Sequence, residues 1–247
     1  MSKFCANLTV LFTELPFLER FGAARAAGFD AVEVLFPYDV AVPEMLDALG
    51  THGLPLALIN CPPPNYTGGA RGFAAVVGSR FQTDFKRTLR YAKSLGAQHL
   101  HIMAGVAEGP QARACFVENL RWAAAQSRSQ SLTIEPINRD DMPGYFLCDF
   151  DEAKAIIAEV DAPNLRLQFD AYHAQKITGD VLGTWARVRD VVAHVQVGQT
   201  PDRRAPDQGD IDYAAFFAQL KKDGYKGWIS GEYTPADRTE LSLDWIK

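Results

Sequence analysis

The 247-residue sequence lacks the features that mark several classes of protein. It has no tract of basic residues and a formal net charge of -5, so the electrostatic signature of a nucleic-acid-binding protein is missing. No apolar run is long enough to span a bilayer, and the first residues lack the apolar region and cleavage site of a signal peptide. The four cysteines form no CxxC motif and no closely spaced pair, which indicates reduced thiols. We therefore expect a cytoplasmic protein that binds neither nucleic acid nor a membrane.

Hydrophobic residues make up 47% of the chain and charged residues 22%, which is ordinary for a packed globular protein. Strand-like and helix-like segments alternate along the whole chain without an intervening linker. The predicted strands cover residues 4–11, 31–35, 54–60, 98–103, 132–135, 165–170, 191–197 and 227–232, and the predicted helices cover residues 17–27, 43–52, 81–95, 112–128, 151–160, 177–189 and 213–223. Eight such units predict an α/β fold, a (β/α)8 TIM barrel, as a single domain over residues 1–247.

Polar residues occupy the ends of the last four predicted strands. Strand five leads into Glu135 and then Pro136, which has no N–H to extend a ladder, so the strand stops there. The next three strands end in Asp170, Gln196 and Glu232. Because the carboxyl ends of the strands share one face of a TIM barrel, these side chains are expected to converge. Three converging carboxylates repel one another unless a cation binds them, and four oxygen donors suit Mg or Mn better than Zn.

Longer motifs resemble those of one enzyme family. The first third of the chain carries Ala6-Asn7-Leu8, Ala26-Ala27-Gly28-Phe29, Val32-Glu33 and Phe36-Pro37-Tyr38. The rest carries Ile134-Glu135-Pro136-Ile137-Asn138, Gln168-Phe169-Asp170-Ala171-Tyr172-His173, His194-Val195-Gln196, Gly227-Trp228-Ile229 and Glu232-Tyr233. Together these motifs cover nearly the whole chain, which resembles the hydroxypyruvate isomerase family within the xylose-isomerase-like group of TIM barrels. Close relatives in that family include 2-oxo-tetronate isomerases.

The resemblance implies a metal-dependent isomerase that interconverts hydroxypyruvate and 2-hydroxy-3-oxopropanoate. It assigns a divalent ion, Mg or Mn, to four ligands: Glu135, Asp170, Gln196 and Glu232. It also makes Glu135 and Glu232 the acid and base, and gives His173 a hydrogen bond to a substrate oxygen. The chemistry agrees with these roles, because moving a carbonyl between adjacent carbons requires a proton to be taken from one carbon and returned to the other.

A substrate that carries a carboxylate also needs a cation from the protein. Arg203 matches the arginine that the family has after strand seven, and arginine suits bidentate recognition of a carboxylate. Arg71, in the loop after strand three, is a further candidate, although a solvated or ion-paired arginine is the commoner case. Asn7 and Glu33, at the first two strands, are also candidates for substrate binding. Glu33 either binds substrate hydroxyls, orients the ligands or forms an internal ion pair.

The chain departs from the family pattern in loops that would surround the substrate. It has Pro64-Asn65 and Ala70 where the family usually has a Gly-Asp pair and a Glu, and Arg203-Arg204-Ala205-Pro206 where the family has Arg-x-Glu-Pro. The four ligand positions are intact, so we expect the reaction class of the family. The sequence does not determine which small hydroxy or keto acid is the substrate. A 2-oxo-tetronate isomerase or a keto-acid epimerase is the alternative, followed by an AP-endonuclease-like nuclease and a non-catalytic sugar-acid binder. A homo-oligomer is left open.

Overall fold

The computed structural model describes residues 3–62 and 71–247, and within them eight short strands alternate with α-helices. The strands are β1 Lys3–Asn7, β2 Ala31–Glu33, β3 Leu58–Asn60, β4 His99–His101, β5 Ser131–Ile134, β6 Leu165–Asp170, β7 Val192–Val197 and β8 Trp228–Gly231. The helices are α1 Glu19–Ala26, α2 Val42–His52, α3 Phe81–Leu95, α4 Gly109–Gln126, α5 Phe150–Val160, α6 Ala171–Thr178, α7 Val181–Val188 and α8 Tyr213–Lys222. Short 3-10 helices cover Arg189–Val191, Thr239–Ser242 and Asp244–Ile246.

The strands form one parallel sheet that curves into a barrel. Their order is β2-β1-β8-β7-β6-β5-β4-β3, so the first and last strands of the chain lie side by side. The two outer strands of this order, β2 and β3, also approach each other: Val32 and Leu56 form a parallel bridge, and the Ala57 N–H donates to the Val32 carbonyl at 2.7 Å. The barrel is therefore nearly closed, which confirms the predicted fold and brings the carboxyl ends of all the strands to one mouth.

Strand β6 shows how the barrel separates an apolar layer from a polar one. Successive residues of a strand point to opposite faces. Phe169 packs outward between the barrel and its helices, with its ring centroid 5.3 Å from that of Phe150 and 5.4 Å from that of Trp185. Its neighbours Gln168 and Asp170 are buried and make hydrogen bonds inside the barrel. The alternation of the sequence thus aims polar side chains at the interior near the mouth.

Most helix boundaries agree with the predicted ones, and α3 and β6 agree to the residue. The exception is the predicted helix 177–189: the structure has the shorter helix α7, Val181–Val188, in its place, and the preceding helix α6, Ala171–Thr178, was not predicted. Gly179 ends α6 in the left-handed conformation, with φ 70°, and the Asp180 side chain then accepts the N–H of Gly183 to begin α7. The glycine at position 179 is therefore a helix terminus, and the capping aspartate after it starts a second helix.

Most of the predicted strands are longer than the observed ones, and β1 shows the reason. The predicted strand ran to Leu11, but β1 ends at Asn7. The side-chain oxygen of Asn7 accepts the N–H of Thr9 at 3.0 Å, and its carbonyl accepts the N–H of Leu11 at 2.8 Å. These local bonds turn the chain at the barrel mouth, because an asparagine side chain offers the backbone an alternative to the ladder.

The loop departures at Pro64-Asn65 and Ala70 lie outside the described residues. Among residues 3–62 and 71–247, no helix is long and apolar enough to cross a membrane. All four cysteines have free thiols, as their spacing predicted.

Candidate functional site

A cavity of about 140 Å³ opens at the carboxyl ends of the strands. Among the residues singled out from the sequence, those that line it are Arg71, Glu135, His173, Arg203 and Glu232. Others are fully buried against these residues instead of lining the cavity: Asn7, Glu33, Asp170 and Gln196. The rest of the described lining consists of Leu35, Phe36, Asn60, His101, Met103, Ile137, Asp141, Met142 and Gln168. The cavity therefore combines a polar floor with an apolar wall.

Three carboxylates converge on this floor from different strands. Glu135 follows β5, Asp170 ends β6, and Glu232 follows β8, where its N–H continues the ladder to Val197. Burial raises the pKa of Glu135 well above its ordinary value, and the charges of Asp170 and Glu232 raise it further. Burial also raises the pKa of Glu232 to about 7. The positive charge of Arg203 opposes this rise, and the negative charge of Asp170 adds to it. These carboxylates thus interact strongly enough to make a nearby cation favourable.

Arg203 supplies one such cation. Its Nη2 donates to Asp170 Oδ2 and, at 2.8 Å, to Glu232 Oε1, while Nε donates to the Glu232 carbonyl at 3.1 Å. The guanidinium also lies over the ring of Tyr172, 4.9 Å from its centroid. Burial lowers the pKa of Arg203, but the charges of Glu232 and Asp170 outweigh it and hold the pKa above its usual range. The residue is therefore a permanent positive charge between two of the predicted ligands.

The loop after β7 presents this arginine through a tight turn. Gln199 and Arg204 pair as antiparallel neighbours, with N–H to carbonyl distances of 2.8 and 3.1 Å. Arg203, inside this turn, has φ 52°, a left-handed conformation that is uncommon for a residue with a side chain. The Thr234 N–H donates to the Arg203 carbonyl at 2.9 Å and attaches the turn to the segment after β8. The backbone thus fixes the direction of the guanidinium.

Asn138 determines which nitrogen of His173 carries the proton. The side-chain oxygen of Asn138 accepts the N–H groups of Asp140 and Asp141 at 3.1 and 3.0 Å, so its amide nitrogen faces the other way. That nitrogen lies 2.8 Å from His173 Nδ1, and the Asn138 backbone N–H donates to the same atom at 3.3 Å. Since Nδ1 accepts, the proton of a neutral ring is on Nε2.

The Nε2–H of His173 therefore faces the floor of the cavity, where Arg203 Nη1 lies 3.5 Å from Nε2. Its Nε2 lies 3.9 Å from Glu135 Oε1 and 3.7 Å from Asp170 Oδ2. Burial, together with the charge of Arg203, lowers the pKa of His173 well below its ordinary value, so the ring is neutral. A neutral donor at the cavity wall is suited to hydrogen-bond a substrate oxygen.

Gln196 is held by hydrogen bonds on both sides of its amide. Its Nε2 donates to Glu33 Oε1 at 2.8 Å and also to Glu232 Oε2. Its Oε1 accepts from Gln168 Nε2 at 2.7 Å. Gln168 Nε2 donates in addition to Glu135 Oε2 at 3.0 Å, and its Oε1 accepts from the Thr133 hydroxyl at 3.2 Å. The two amides thus join residues of five strands, β2 and β5 to β8, into one network.

Glu33 lies below this network, where it is fully buried. Its Oε1 accepts from Asn7 Nδ2 at 2.9 Å and from Gln196, and its Oε2 is 2.6 Å from His194 Nε2. Both oxygens are therefore engaged by protein groups. Of the roles that the sequence left open for Glu33, these contacts correspond to an internal pair with His194 and to the orientation of Gln196.

Sequence reasoning missed Gln168, Asn138 and the cavity position of His101. His101 is a neutral ring whose pKa burial lowers to about 3, and its Nε2 lies 3.6 Å from Glu135 Oε2. A signal for one of these residues was present, because side chains two apart on a strand share a face. Counting back two residues from Asp170 gives Gln168, and the same count from Gln196 gives His194. The inward layer below the ligands can be found in this way.

Several of these side chains are arranged so that they could hold a metal ion. Glu135, Asp170 and His173 each place one potential ligand atom within 4.8 Å of the others. Arg203 links Glu232 to Asp170, and Gln168 links Gln196 to Glu135. Carboxylate and amide oxygens are the donors that hard divalent cations prefer. The site therefore offers a predominantly oxygen donor set.

Comparison with known proteins gives a consistent result. The family model described as "xylose isomerase-like TIM barrel" matches residues 21–247. Over its whole length the chain is 42% identical to the 2-oxo-tetronate isomerase of Cupriavidus necator and covers 98% of it. It is likewise 35% identical to the hydroxypyruvate isomerase of Escherichia coli, of which it also covers 98%. These relatives confirm the resemblance found in the sequence motifs and the expectation of an isomerase of this type.

A solved structure agrees closely in fold. The crystal structure titled as an AP endonuclease of family 2 from Brucella melitensis has a TM-score of 0.96 to this chain. The two sequences are 39% identical, and the match covers 100% of this chain and 98% of the other. The barrel, in the part of the chain that the structure describes, thus follows a known arrangement.

Proposed function

Because this chain belongs to the xylose isomerase-like TIM barrel family, we propose that it is a divalent-metal-dependent isomerase of hydroxypyruvate. It would interconvert hydroxypyruvate and 2-hydroxy-3-oxopropanoate through an enediolate. The observation that carries the proposal is the convergence of Glu135, Asp170 and Glu232 at one cavity beside a neutral histidine donor and Arg203. The names of the relatives from Cupriavidus necator and Escherichia coli support an isomerase of a small hydroxy-oxo acid.

The residues that would hold the ion are Glu135, Asp170, Gln196 and Glu232. Their fit to a divalent cation is supported by the bonds of Gln196: a side-chain amide has two N–H donors and two lone pairs on oxygen. Both donors are used by carboxylates and one lone pair by Gln168, which leaves one lone pair for a cation. A bound divalent ion would stabilise the negative charge that develops on the substrate oxygens.

Glu135 and Glu232 would move the proton. They enter the site from β5 and β8, on opposite sides of Asp170 and Gln196 in the strand order. One carboxylate would take the proton from the first carbon, and the other would supply a proton to its neighbour, while the proton of the substrate hydroxyl passes to the former carbonyl oxygen. His173 would donate its Nε2 proton as a hydrogen bond to the substrate oxygen where negative charge builds up. His173 is a donor in this scheme and not a ligand, because Asn138 engages its Nδ1.

Arg203 and Arg71 would recognise the substrate carboxylate. Arg203 already neutralises Asp170 and Glu232, so it would contribute through its remaining donors. Arg71 lines the same cavity from the loop after β3 and supplies a second positive charge at its wall. Asn7 would act indirectly, since its amide holds Glu33.

A four-carbon substrate, 2-oxo-tetronate, is the second candidate. It is favoured by the higher identity to the 2-oxo-tetronate isomerase of Cupriavidus necator, 42% against 35% for the hydroxypyruvate isomerase of Escherichia coli. The same groups would perform the same proton transfer on it. The two candidates differ only in the part of the substrate that contacts the cavity wall.

Solvent deuterium incorporation tests both substrates at once. Purified protein is stripped of metal, supplied with Mg²⁺ or Mn²⁺, and incubated in D2O with each compound while proton NMR follows the exchangeable C–H. Metal-dependent exchange into hydroxypyruvate with appearance of the aldehyde, lost in Glu232→Gln, is the expected result. Exchange into the four-carbon compound alone would assign the second candidate. No exchange with either, despite metal binding, would overturn the isomerase proposal.

The name of the Brucella melitensis structure calls for one more assay. Nicking of a duplex that contains an abasic site is measured with the same metal-loaded protein. A net charge of -5 opposes binding to a polyanion, so we expect no nicking. Nicking that Glu232→Gln abolishes would assign the site to a nuclease.

A further inference from the structure

The orientation of the Gln196 amide has a structural cause that lies below the site. An amide can present either its oxygen or its nitrogen to a cation, and only the oxygen can bind one. In Gln196 the nitrogen faces Glu33 Oε1 at 2.8 Å and Glu232 Oε2, whereas the oxygen faces Gln168 Nε2 at 2.7 Å. Carboxylate oxygens accept hydrogen bonds, so these neighbours select the orientation that is seen.

Of the two carboxylates, Glu33 is the one that has no proposed role in binding the metal or in transferring a proton. It is fully buried and does not line the cavity, so it reaches neither solvent nor substrate. It projects from β2 and crosses the barrel interior to β7, which two strands, β1 and β8, separate from β2 in the sheet order. There it bonds Gln196 and, through its other oxygen, His194 at 2.6 Å. A carboxylate that spans the barrel in this way fixes one end of the Gln196 amide.

We propose that Glu33 is a positioning residue that holds Gln196 with its amide oxygen available to a divalent cation. The inference rests on the proposed function in one respect, namely that Gln196 is a ligand. The role requires an acceptor at position 33 and does not require a negative charge. Groups that orient ligands in this manner typically change metal affinity by about 10- to 100-fold when they are removed.

Two substitutions at position 33 separate the acceptor from the charge. Glu33→Met is unbranched and similar in length, but it offers no comparable acceptor, so the Gln196 amide nitrogen loses one of its two carboxylate partners and keeps Glu232. Glu33→Gln is neutral, yet its amide oxygen can still accept from Gln196. A third protein, Gln196→Glu, provides the control background, because a carboxylate has two equivalent oxygens and needs no orientation.

The measurement is the dissociation constant of Mn²⁺ for metal-stripped protein, by calorimetric titration or by electron paramagnetic resonance of free Mn²⁺. Glu33→Met should weaken binding by roughly 10- to 100-fold. Glu33→Gln should stay within about threefold of the parent protein. In the Gln196→Glu background, Glu33→Met should likewise cost less than about threefold. Circular dichroism verifies folding, and Glu33→Leu replaces the methionine variant if that one does not fold.

The other outcomes separate this inference from the proposed function. Mn²⁺ binding by Glu33→Met that is as tight as in the parent would overturn the positioning role and leave the metal site intact. Equal losses in Glu33→Met and Glu33→Gln would also overturn it, since the charge and not the acceptor would then matter. An equal loss in the Gln196→Glu background would mean a general structural effect. A parent protein that binds no divalent ion would overturn the metal dependence, and this inference with it.

Discussion

Replacing Arg203 with methionine should destabilise the metal-free protein by an amount that depends on pH. The substitution keeps the unbranched stem but removes the bonds to Asp170 Oδ2 and Glu232 Oε1. Breaking a buried ion pair by removing one partner costs about 3–5 kcal/mol. A quarter of the Arg203 side chain is exposed, so we expect the lower end, about 3 kcal/mol of unfolding free energy at pH 8.

The sign of the pH dependence follows from the carboxyl groups. Burial raises the pKa of both Asp170 and Glu232 in the folded protein, and Arg203 opposes the rise. Without Arg203 both pKa values rise further. A carboxyl group with a raised folded pKa contributes stability while it is protonated, and this contribution is lost as the pH rises through the folded pKa. The penalty of Arg203→Met should therefore shrink on acidification from pH 8 to pH 5.

The assay is urea unfolding of protein treated with a chelator, at pH 5 and at pH 8, with the midpoint and slope fitted together. The matched control is Arg204→Met at the next position. That side chain is 63% exposed and lies 3.7 Å from Asp202, so its loss should change stability by no more than about 0.5 kcal/mol. A penalty that is the same at both pH values, or an Arg204 variant as costly as the Arg203 variant, would refute the reasoning.

Three further predictions use other parts of the structure. His173→Phe should lower kcat by about 100- to 1000-fold through loss of the Nε2 donor. Titration with Mn²⁺ should show that the affinity of the variant for the metal is unchanged. Weaker Mn²⁺ binding would instead make the residue a ligand. Phe169→Ala should lower the unfolding free energy by about 3–5 kcal/mol in a denaturant titration, since the ring is fully buried, and a loss under about 1 kcal/mol would contradict its packing role. Hydrogen bonds from Gln219, Trp185 and Arg189 lower the pKa of Asp223 to about 2. Thermal unfolding should therefore show the parent losing its advantage over Asp223→Asn as the pH falls from about 4 toward about 2, and a constant difference would argue against this linkage.

The sequence predicted the barrel and the polar strand ends because both follow from local patterns. Alternation of strand and helix segments is visible residue by residue, and strands five to eight place Glu135, Asp170, Gln196 and Glu232 at one mouth in any closed parallel barrel. The position of Arg203 in the turn after β7 was predicted through the family motif. The charge pairing of Arg203 with two predicted ligands was not, because it depends on a left-handed backbone conformation inside that turn.

Other features of the site and the fold could not be predicted from local sequence patterns. Asn138 orients His173 through an amide that is itself oriented by two backbone N–H groups, and no spacing rule encodes that sequence of contacts. Glu33 bonds His194 and Gln196 across 161 and 163 positions of chain, so its partners depend on how the barrel closes. Gly179 was visible as an interruption of the predicted helix 177–189, but helix α6 before it and the capping role of Asp180 after it were not predicted.

The network from Thr133 through Gln168 and Gln196 to Glu33 has a consequence for how this site can change over generations. Each of its amides has nearly every donor and acceptor in use, so replacing one member leaves a neighbour's polar group buried without a partner. Single replacements at these positions should therefore be mostly inactive in a mutant library, whereas compensated pairs should survive. New metal or substrate preferences on this barrel are expected to arise by coordinated exchange of residues on several strands, while loop positions other than Arg71 and Arg203 can vary one residue at a time.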